Sequence, residues 1–184
     1  MESSFTNYVL DHATGETRSL KHLRPFTVTY NIRVDGEPVE VGLNVHFTNH
    51  CFTRSKKEED PAESVLYRER HRQGEVERVF CQNRWGFSQG LPDIIKSLPD
   101  KLCFRGGSKL LFYRQEGAPP HNSHAGWYLC VRFDASDRHQ NLTMSVRSVH
   151  KRQNRPHDTR GAPTRFRVLL AQFYSEERKK REWL

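Results

Sequence analysis

The chain has 184 residues, of which 35% are hydrophobic and 28% charged, and its net charge is +8 at neutral pH. This length predicts one domain with a core of its own. No apolar run approaches the roughly 20 residues of a transmembrane helix, and the first residues lack the basic and apolar regions of a signal peptide, so we expect neither. The four cysteines are scattered singly, which argues against a disulfide framework and favours reduced thiols in the cytoplasm.

Residues 1–25 show no periodicity and predict an irregular N-terminal arm. Apolar and polar residues then alternate over 26–34 and 39–47, on either side of turn-forming residues at 35–38, which predicts an antiparallel hairpin. The expected register pairs Val34 with Val39, and therefore Thr27 with His46. A charged loop follows at 50–61, and the alternation returns in a second hairpin with strands at 65–70 and 76–81.

The second half of the chain predicts a short helix at 91–98, with Pro92 near its first turn. Strands are expected at 109–114, 127–133 and 142–147, with a loop at 117–126 between the first two. A basic loop covers 150–163. From about residue 163, an apolar stripe at helical spacing predicts a C-terminal amphipathic helix. The order indicates an α+β fold, an antiparallel β-sheet built from hairpins, within a single domain over 26–184.

Positive charge is concentrated at residues 145–167, which contain seven lysines or arginines and one aspartate. Such a strip favours a polyanionic partner, RNA more than DNA. The alternatives are a solvated basic loop, or a docking surface for an acidic protein such as an antitoxin. The candidate nucleic-acid-binding residues are Arg54, Lys151, Arg152, Arg155 and Arg160.

Two histidines near the end of the first hairpin are candidate catalytic residues. Alternation places His46 on the polar face with Asn44, and His50 follows where the strand gives way to loop, so either could act as a general base. Both could instead be surface or structural histidines. Along a strand their spacing separates them by roughly 13 Å, too far to share one metal ion. No carboxylate cluster accompanies them, and we expect neither a metal nor another cofactor.

A second candidate group follows the strand at 142–147. Arg147 shares the polar face of this strand and is suited to hold a phosphate through two hydrogen bonds. His150 could then donate a proton to a leaving 5′-oxygen. Together with His46 or His50 these residues would supply a base, an acid and a positive charge for RNA cleavage through the 2′-hydroxyl, provided that the fold brings them together.

The segment 46–54 and the strand 142–148, followed by His150, resemble the ribonuclease toxins grouped with barnase, the colicin tRNases and RelE. The resemblance implies a metal-independent endoribonuclease of toxin or phage-defence type. Whether the chain is an enzyme stays open at this point. The alternative is a non-catalytic module that binds RNA, DNA or a protein through the basic loop.

Overall fold

The computed structural model describes residues 6–107, 110–114, 125–135, 142–154, 156–157 and 159–182. Within these residues it has an α+β architecture, with most residues in strands, as predicted. The strands are β1 (Tyr8–Asp11), β2 (Glu16–Ser19), β3 (Phe26–Val34), β4 (Glu37–Phe47), β5 (Thr53–Ser55), β6 (Val65–His71), β7 (Gly74–Phe80), β8 (Leu102–Arg105), β9 (Leu110–Arg114), β10 (Gly126–Ala135), β11 (Leu142–Arg152) and β12 (Arg160–Arg165). The helices are α1 (Gln82–Ser88), α2 (Leu91–Ser97) and α3 (Phe166–Glu182). None of these helices is long and apolar enough to cross a membrane.

The strands form three sheets. The largest has seven strands in the order β12-β8-β9-β10-β11-β4-β3, and the others are β5-β7-β6 and the hairpin β1-β2. Neighbouring strands are antiparallel except β4 and β11, which run parallel, with His46 beside Ser145. The parallel pair was not expected, because hairpins between consecutive strands produce antiparallel neighbours alone.

The first hairpin is confirmed, but its predicted register is wrong by two residues. Val34 pairs with Glu37, and Thr27 pairs with Asn44 rather than with His46. The turn is shorter than predicted because Asp35 and Gly36 both have positive φ, 52° and 90°. This is the conformation of a two-residue type I′ turn, for which Asp-Gly is a favoured sequence. The shift by two keeps every side chain on its predicted face.

The N-terminal arm was predicted to be irregular, but it contains the β1-β2 hairpin and a 3₁₀ turn at Lys21–Leu23. Leu20 and Leu23 are buried in the main core. The indole Nε1 of Trp85 in α1 also donates to Ser19 O, at 2.9 Å. These contacts make the arm part of the domain that was predicted to begin at residue 26.

The second hairpin, β6 and β7, and the short middle helix α2 are confirmed. Strands β5, β8 and β12 and helix α1 were missed, and β5 lies within the predicted charged loop at 50–61. The predicted basic loop at 150–163 is shorter than expected, because β11 continues to Arg152 and β12 begins at Arg160. For the same reason, helix α3 begins at Phe166 rather than at about residue 163. Of the loop predicted at 117–126, residues 117–124 lie outside the described part of the chain, and β10 begins at Gly126.

Helix α3 packs over one face of the large sheet. The ring of Phe166 lies against Tyr30 and Phe133, with centroids 5.8 Å apart in both pairs. The ring of Phe133 also contacts Phe173, two turns further along the helix, with ring centroids 5.1 Å apart. Apolar residues of the central strands complete this core. The opposite face of the sheet carries the polar side chains of β4 and β11, and the candidate site lies there.

Candidate functional site

A surface pocket of about 560 Å³ opens where β4 ends and the chain turns across β11. Its walls come from the turn after β4, from β6 and from the polar face of the large sheet. It therefore joins segments that are far apart in sequence. The lining residues are Thr48, Asn49, His50, Glu69, His71, Leu110, Cys130, Arg132, Arg147 and Ser148.

His50 and Glu69 form the central contact of the pocket. The imidazole Nε2 lies 3.0 Å and 2.9 Å from the two carboxylate oxygens of Glu69. Asn49 donates its side-chain N–H to the same carboxylate at 2.7 Å. A neutral His50 that donates Nε2–H to Glu69 keeps Nδ1 as its proton acceptor. This is the arrangement of a histidine base oriented by a carboxylate.

The surroundings of this pair keep His50 neutral near pH 7. Partial burial lowers the pKa of His50, the positive charge of Arg78 lowers it further, and Glu69 opposes both effects. Burial raises the pKa of Glu69, but the hydrogen bonds from Asn49 and His50 and the charge of Arg78 outweigh it, so that pKa lies below its ordinary value. At neutral pH the pair is therefore a carboxylate beside an uncharged imidazole, which can accept a proton.

Arg78 is a buried arginine that adjoins the pocket at Glu69. Its side chain is 6% exposed and lies 3.8 Å from Glu69 Oε2. It donates to Thr53 Oγ1 at 2.8 Å and to Thr53 O at 3.0 Å. The guanidinium is therefore fixed in position. Glu69 is the carboxylate within ion-pair distance of it in the described part of the chain.

Arg84, in α1, connects the turn after β4, which contains His50, to strand β11. Its guanidinium donates to His50 O at 3.2 Å, to Thr53 O at 2.7 Å and to Nδ1 of His150 at 2.8 Å. Burial lowers the pKa of His150 to about 4, and the charges of Arg84 and Arg152 contribute. His150 is thus neutral at pH 7 and accepts a hydrogen bond from Arg84. This geometry does not suit the predicted role of His150 as a proton donor.

Arg147 owes its position to a β-bulge. Cys130 pairs with Ser148 and Val131 pairs with Val146, so Arg147 is an extra residue with no partner in the β10-β11 ladder. The bulge lets both Val146 and Val149 enter the core. It also exposes the Arg147 side chain, which lines the pocket. Bulges that redirect one side chain in this way are frequent beside functional sites.

The pocket and its walls carry more positive than negative charge. Arg78, Arg84, Arg132 and Arg147 stand against two carboxylates, Glu69 and Asp134, the second of which accepts from Arg132 Nε at 3.1 Å. A concave surface of one charge concentrates the field and attracts an anion. This balance is compatible with the phosphate-binding role predicted for the basic residues.

Of the predicted catalytic residues, His50 and Arg147 line the pocket, and His150 adjoins it through Arg84. His46 is half-buried within β4 beside Ser145, and it does not line the pocket. The register explains its position, since His46 lies in the paired part of the strand and His50 beyond its end. The predicted base is therefore narrowed to His50.

The predicted nucleic-acid-binding residues are dispersed. The two terminal guanidinium nitrogens of Arg54 donate to the Asp60 carboxylate, at 2.5 and 2.6 Å, so this side chain does not project toward the pocket as a free cation. Lys151 is exposed and Arg152 is half-buried, and these are the last two residues of strand β11. Only the backbone of Arg160 is described, in β12, and Arg155 lies outside the described residues.

In the described part of the chain, neither the buried cysteine of the turn after β4 nor a metal ion is suited to carry the chemistry of the pocket. The Cys51 thiol is fully buried, burial raises its pKa to about 12, and it donates to Val146 O. A nucleophilic thiolate is therefore not available there at neutral pH. Among the described residues, no group of three or more histidines, cysteines or carboxylates is placed to hold a metal ion.

Sequence reasoning missed Glu69, His71 and Arg84. Arg68, next to Glu69 on β6, forms a cross-strand ion pair with Glu77 at 3.1 Å. Alternation along β6 could have placed Glu69 and His71 on one face, opposite to Arg68 and Arg70. Nothing in the sequence indicated that this face meets the turn after β4, because the contact joins two different sheets.

Comparison with known proteins gave one result. A family model described as the YjaZ family matches residues 7–174, and the chain belongs to this family. No curated protein and no solved structure matched the chain significantly. The match begins within the N-terminal arm, in agreement with the burial of Leu20 and Leu23 in the core.

Proposed function

We propose that this member of the YjaZ family is a metal-independent endoribonuclease that acts through the pocket around His50. The observation that carries the proposal is the hydrogen-bonded pair of His50 and Glu69 in an open pocket that also contains Arg147 and Arg132. His50 takes the proton of the RNA 2′-hydroxyl. Arg147, with Arg132 beside it, holds the scissile phosphate and stabilises the charge that develops on it.

The charge of the pocket supports RNA as the substrate. A single phosphodiester carries one negative charge, and the arginines around the pocket outnumber its carboxylates. Cleavage through the 2′-hydroxyl needs a base and a positively charged group, and both are present there. Lys151 is exposed on the same strand as Arg147, but it pairs with Trp127 and alternation places it on the other face of the sheet, so it is not part of this positive surface.

A role in the cytoplasm, as a toxin or phage-defence protein, is part of this proposal. All four cysteines are free thiols, and three of them are buried, which suits a reducing compartment. The resemblance to the barnase, colicin tRNase and RelE group stays a prediction, and so does an acidic protein partner such as an antitoxin. In this proposal an inhibitor of that kind would cover Arg147 and Arg132.

The test uses the purified full chain with labelled RNA, in the presence and absence of EDTA. We expect cleavage with and without EDTA, with a rate reduced by about 10²–10⁴ in His50→Ala, the contribution typical of a general base. His12→Ala is the matched control, since His12 is exposed in the turn between β1 and β2, and it should cleave RNA at the wild-type rate.

Three outcomes would overturn the proposal in different ways. Cleavage abolished by EDTA would exclude the metal-independent mechanism. Cleavage retained in His50→Ala would exclude this pocket as the site. Salt-sensitive retention of RNA without cleavage would favour a binding module, in which Arg147→Ala should reduce the slope of log K against log salt by about 0.7 relative to Arg33→Ala, an exposed arginine on β3.

A further inference from the structure

The pocket contains a second histidine, His71, which is a candidate for a second proton-transfer group. Glu69 and His71 are two residues apart on β6 and therefore share a face of the strand. Nε2 of His71 lies 3.6 Å from Oε2 of Glu69, and Nε2 of His50 lies 2.9 Å from the same oxygen. Both imidazoles line the pocket. Two histidines thus converge on one carboxylate beside the arginines.

His71 is not required to hold Glu69 in place. The carboxylate already accepts hydrogen bonds from Asn49 and His50, at 2.7 to 3.0 Å, and its separation from His71 is longer than a hydrogen bond. The side chain of His71 is 53% exposed, against 31% for His50. His71 therefore lines the pocket, is exposed to water and is not needed to hold Glu69. A side chain in such a position can contact a substrate.

The environments of the two histidines suit opposite roles. His50 is packed against Arg78 and Arg84, whose charges disfavour its protonated form. His71 has Glu69 beside it on its own strand, and it faces His50, Arg132 and Arg147 across the pocket. The side chain of His71 is open to water, whereas a positive charge at His50 would be partly desolvated.

We propose that His71 is the general acid of the reaction, and this inference rests on the proposed ribonuclease function. The RNA 2′-oxygen forms a bond to phosphorus while its proton moves to Nδ1 of His50. The bond from phosphorus to the 5′-oxygen breaks, and the leaving oxygen takes a proton from Nε2 of His71. The products are a 2′,3′-cyclic phosphate and a 5′-hydroxyl, with His50 protonated and His71 neutral. Proton exchange with water restores both histidines.

The test compares two RNA substrates that differ in one atom. In the first, the leaving group is the ordinary 5′-oxygen. In the second, sulfur replaces this bridging oxygen and leaves as a thiolate that needs no proton. His71→Ala should cleave the oxygen substrate about 10²–10⁴ times more slowly than the wild type, the range expected for a general acid. On the sulfur substrate its rate should lie within about threefold of the wild type, since the acid has no role there.

The companion variants separate this inference from the function on which it rests. His50→Ala should be slow on both substrates, because the 2′-hydroxyl still has to lose its proton, and His12→Ala should match the wild type on both. If His71→Ala is slow on both substrates, or on neither, His71 is not the acid, while the loss of activity in His50→Ala still supports the ribonuclease. If the wild type cleaves neither substrate, the proposed function and the acid role both fail.

Discussion

The environment of His150 makes a quantitative prediction about stability. Its pKa is about 4 in the folded chain, against 6.5 for an ordinary histidine, because it is partly buried and adjoins Arg84 and Arg152. Between these two pH values the unfolded chain binds more protons at this site than the folded chain does. The stabilisation is therefore complete above about pH 6.5 and decreases as the pH falls toward 4.

The size of the effect follows from the two pKa values. For one group with these values, the free energy of unfolding falls by about 2 kcal/mol between pH 7 and pH 5. His150→Gln removes the titration and keeps a side-chain oxygen that can accept from Arg84. We expect the wild-type value to fall by about 2 kcal/mol more than that of His150→Gln over this range.

Urea titrations at several pH values from 7 to 5 would measure this difference. His12→Gln is the control, because it makes the same substitution at an exposed histidine. The difference between the wild type and this control should not vary with pH by more than a few tenths of a kcal/mol. If the wild type and His150→Gln lose stability in parallel as the pH falls, the pairing of a neutral His150 with Arg84 is wrong.

Three further predictions concern packing and ion pairs. Arg84→Met removes the donor to two backbone carbonyls and to Nδ1 of a histidine, and we expect the free energy of unfolding at pH 7 to fall by about 2–4 kcal/mol in a urea titration; a loss under about 1 kcal/mol would contradict these bonds. A Cβ at Gly106 would lie 2.7 Å from the ring of Phe112, so Gly106→Ala should lose about 1–3 kcal/mol. Gly86→Ala has open space in α1 and should gain about 0.5–1 kcal/mol, and equal Tm shifts for these two variants would refute the packing argument. A double-mutant cycle on Arg54 and Asp60 should give a coupling of about 1–2 kcal/mol, because two guanidinium nitrogens donate to an Asp60 side chain that is only 14% exposed, and a coupling near zero would show that solvent screens the pair.

The elements that could be predicted from the sequence are those with local signals. Strands β3 and β4 alternate strictly, and Pro92 marks the start of a helix, so these were found. The register error came from counting Glu37 and Pro38 in the turn, although Asp35-Gly36 alone is enough for a type I′ turn. Helix α1 was missed because it has seven residues and, unlike α2, no proline in its first turn to mark its start.

The candidate site was predicted less well, because it depends on contacts between distant segments. His50 and Arg147 were singled out as separate candidates, and the parallel pairing of β4 with β11 is what brings them to one pocket. Glu69 belongs to another sheet, and its contact with His50 joins residues 19 apart in sequence. No periodicity encodes such a contact, so the role of the second hairpin required the folded chain.

The bulge in β11 has a consequence for how this site can change in evolution. Arg147 is the residue by which β11 exceeds the length that its pairing with β10 needs. Without it, Val146, Ser148 and Val149 would follow one another in the regular alternation of core and polar positions. A deletion of a single codon would thus remove one of the two exposed arginines that line the pocket, while leaving the pairing of β10 with β11 intact. Relatives that differ by a gap at this position would be natural variants with the same fold and an altered pocket.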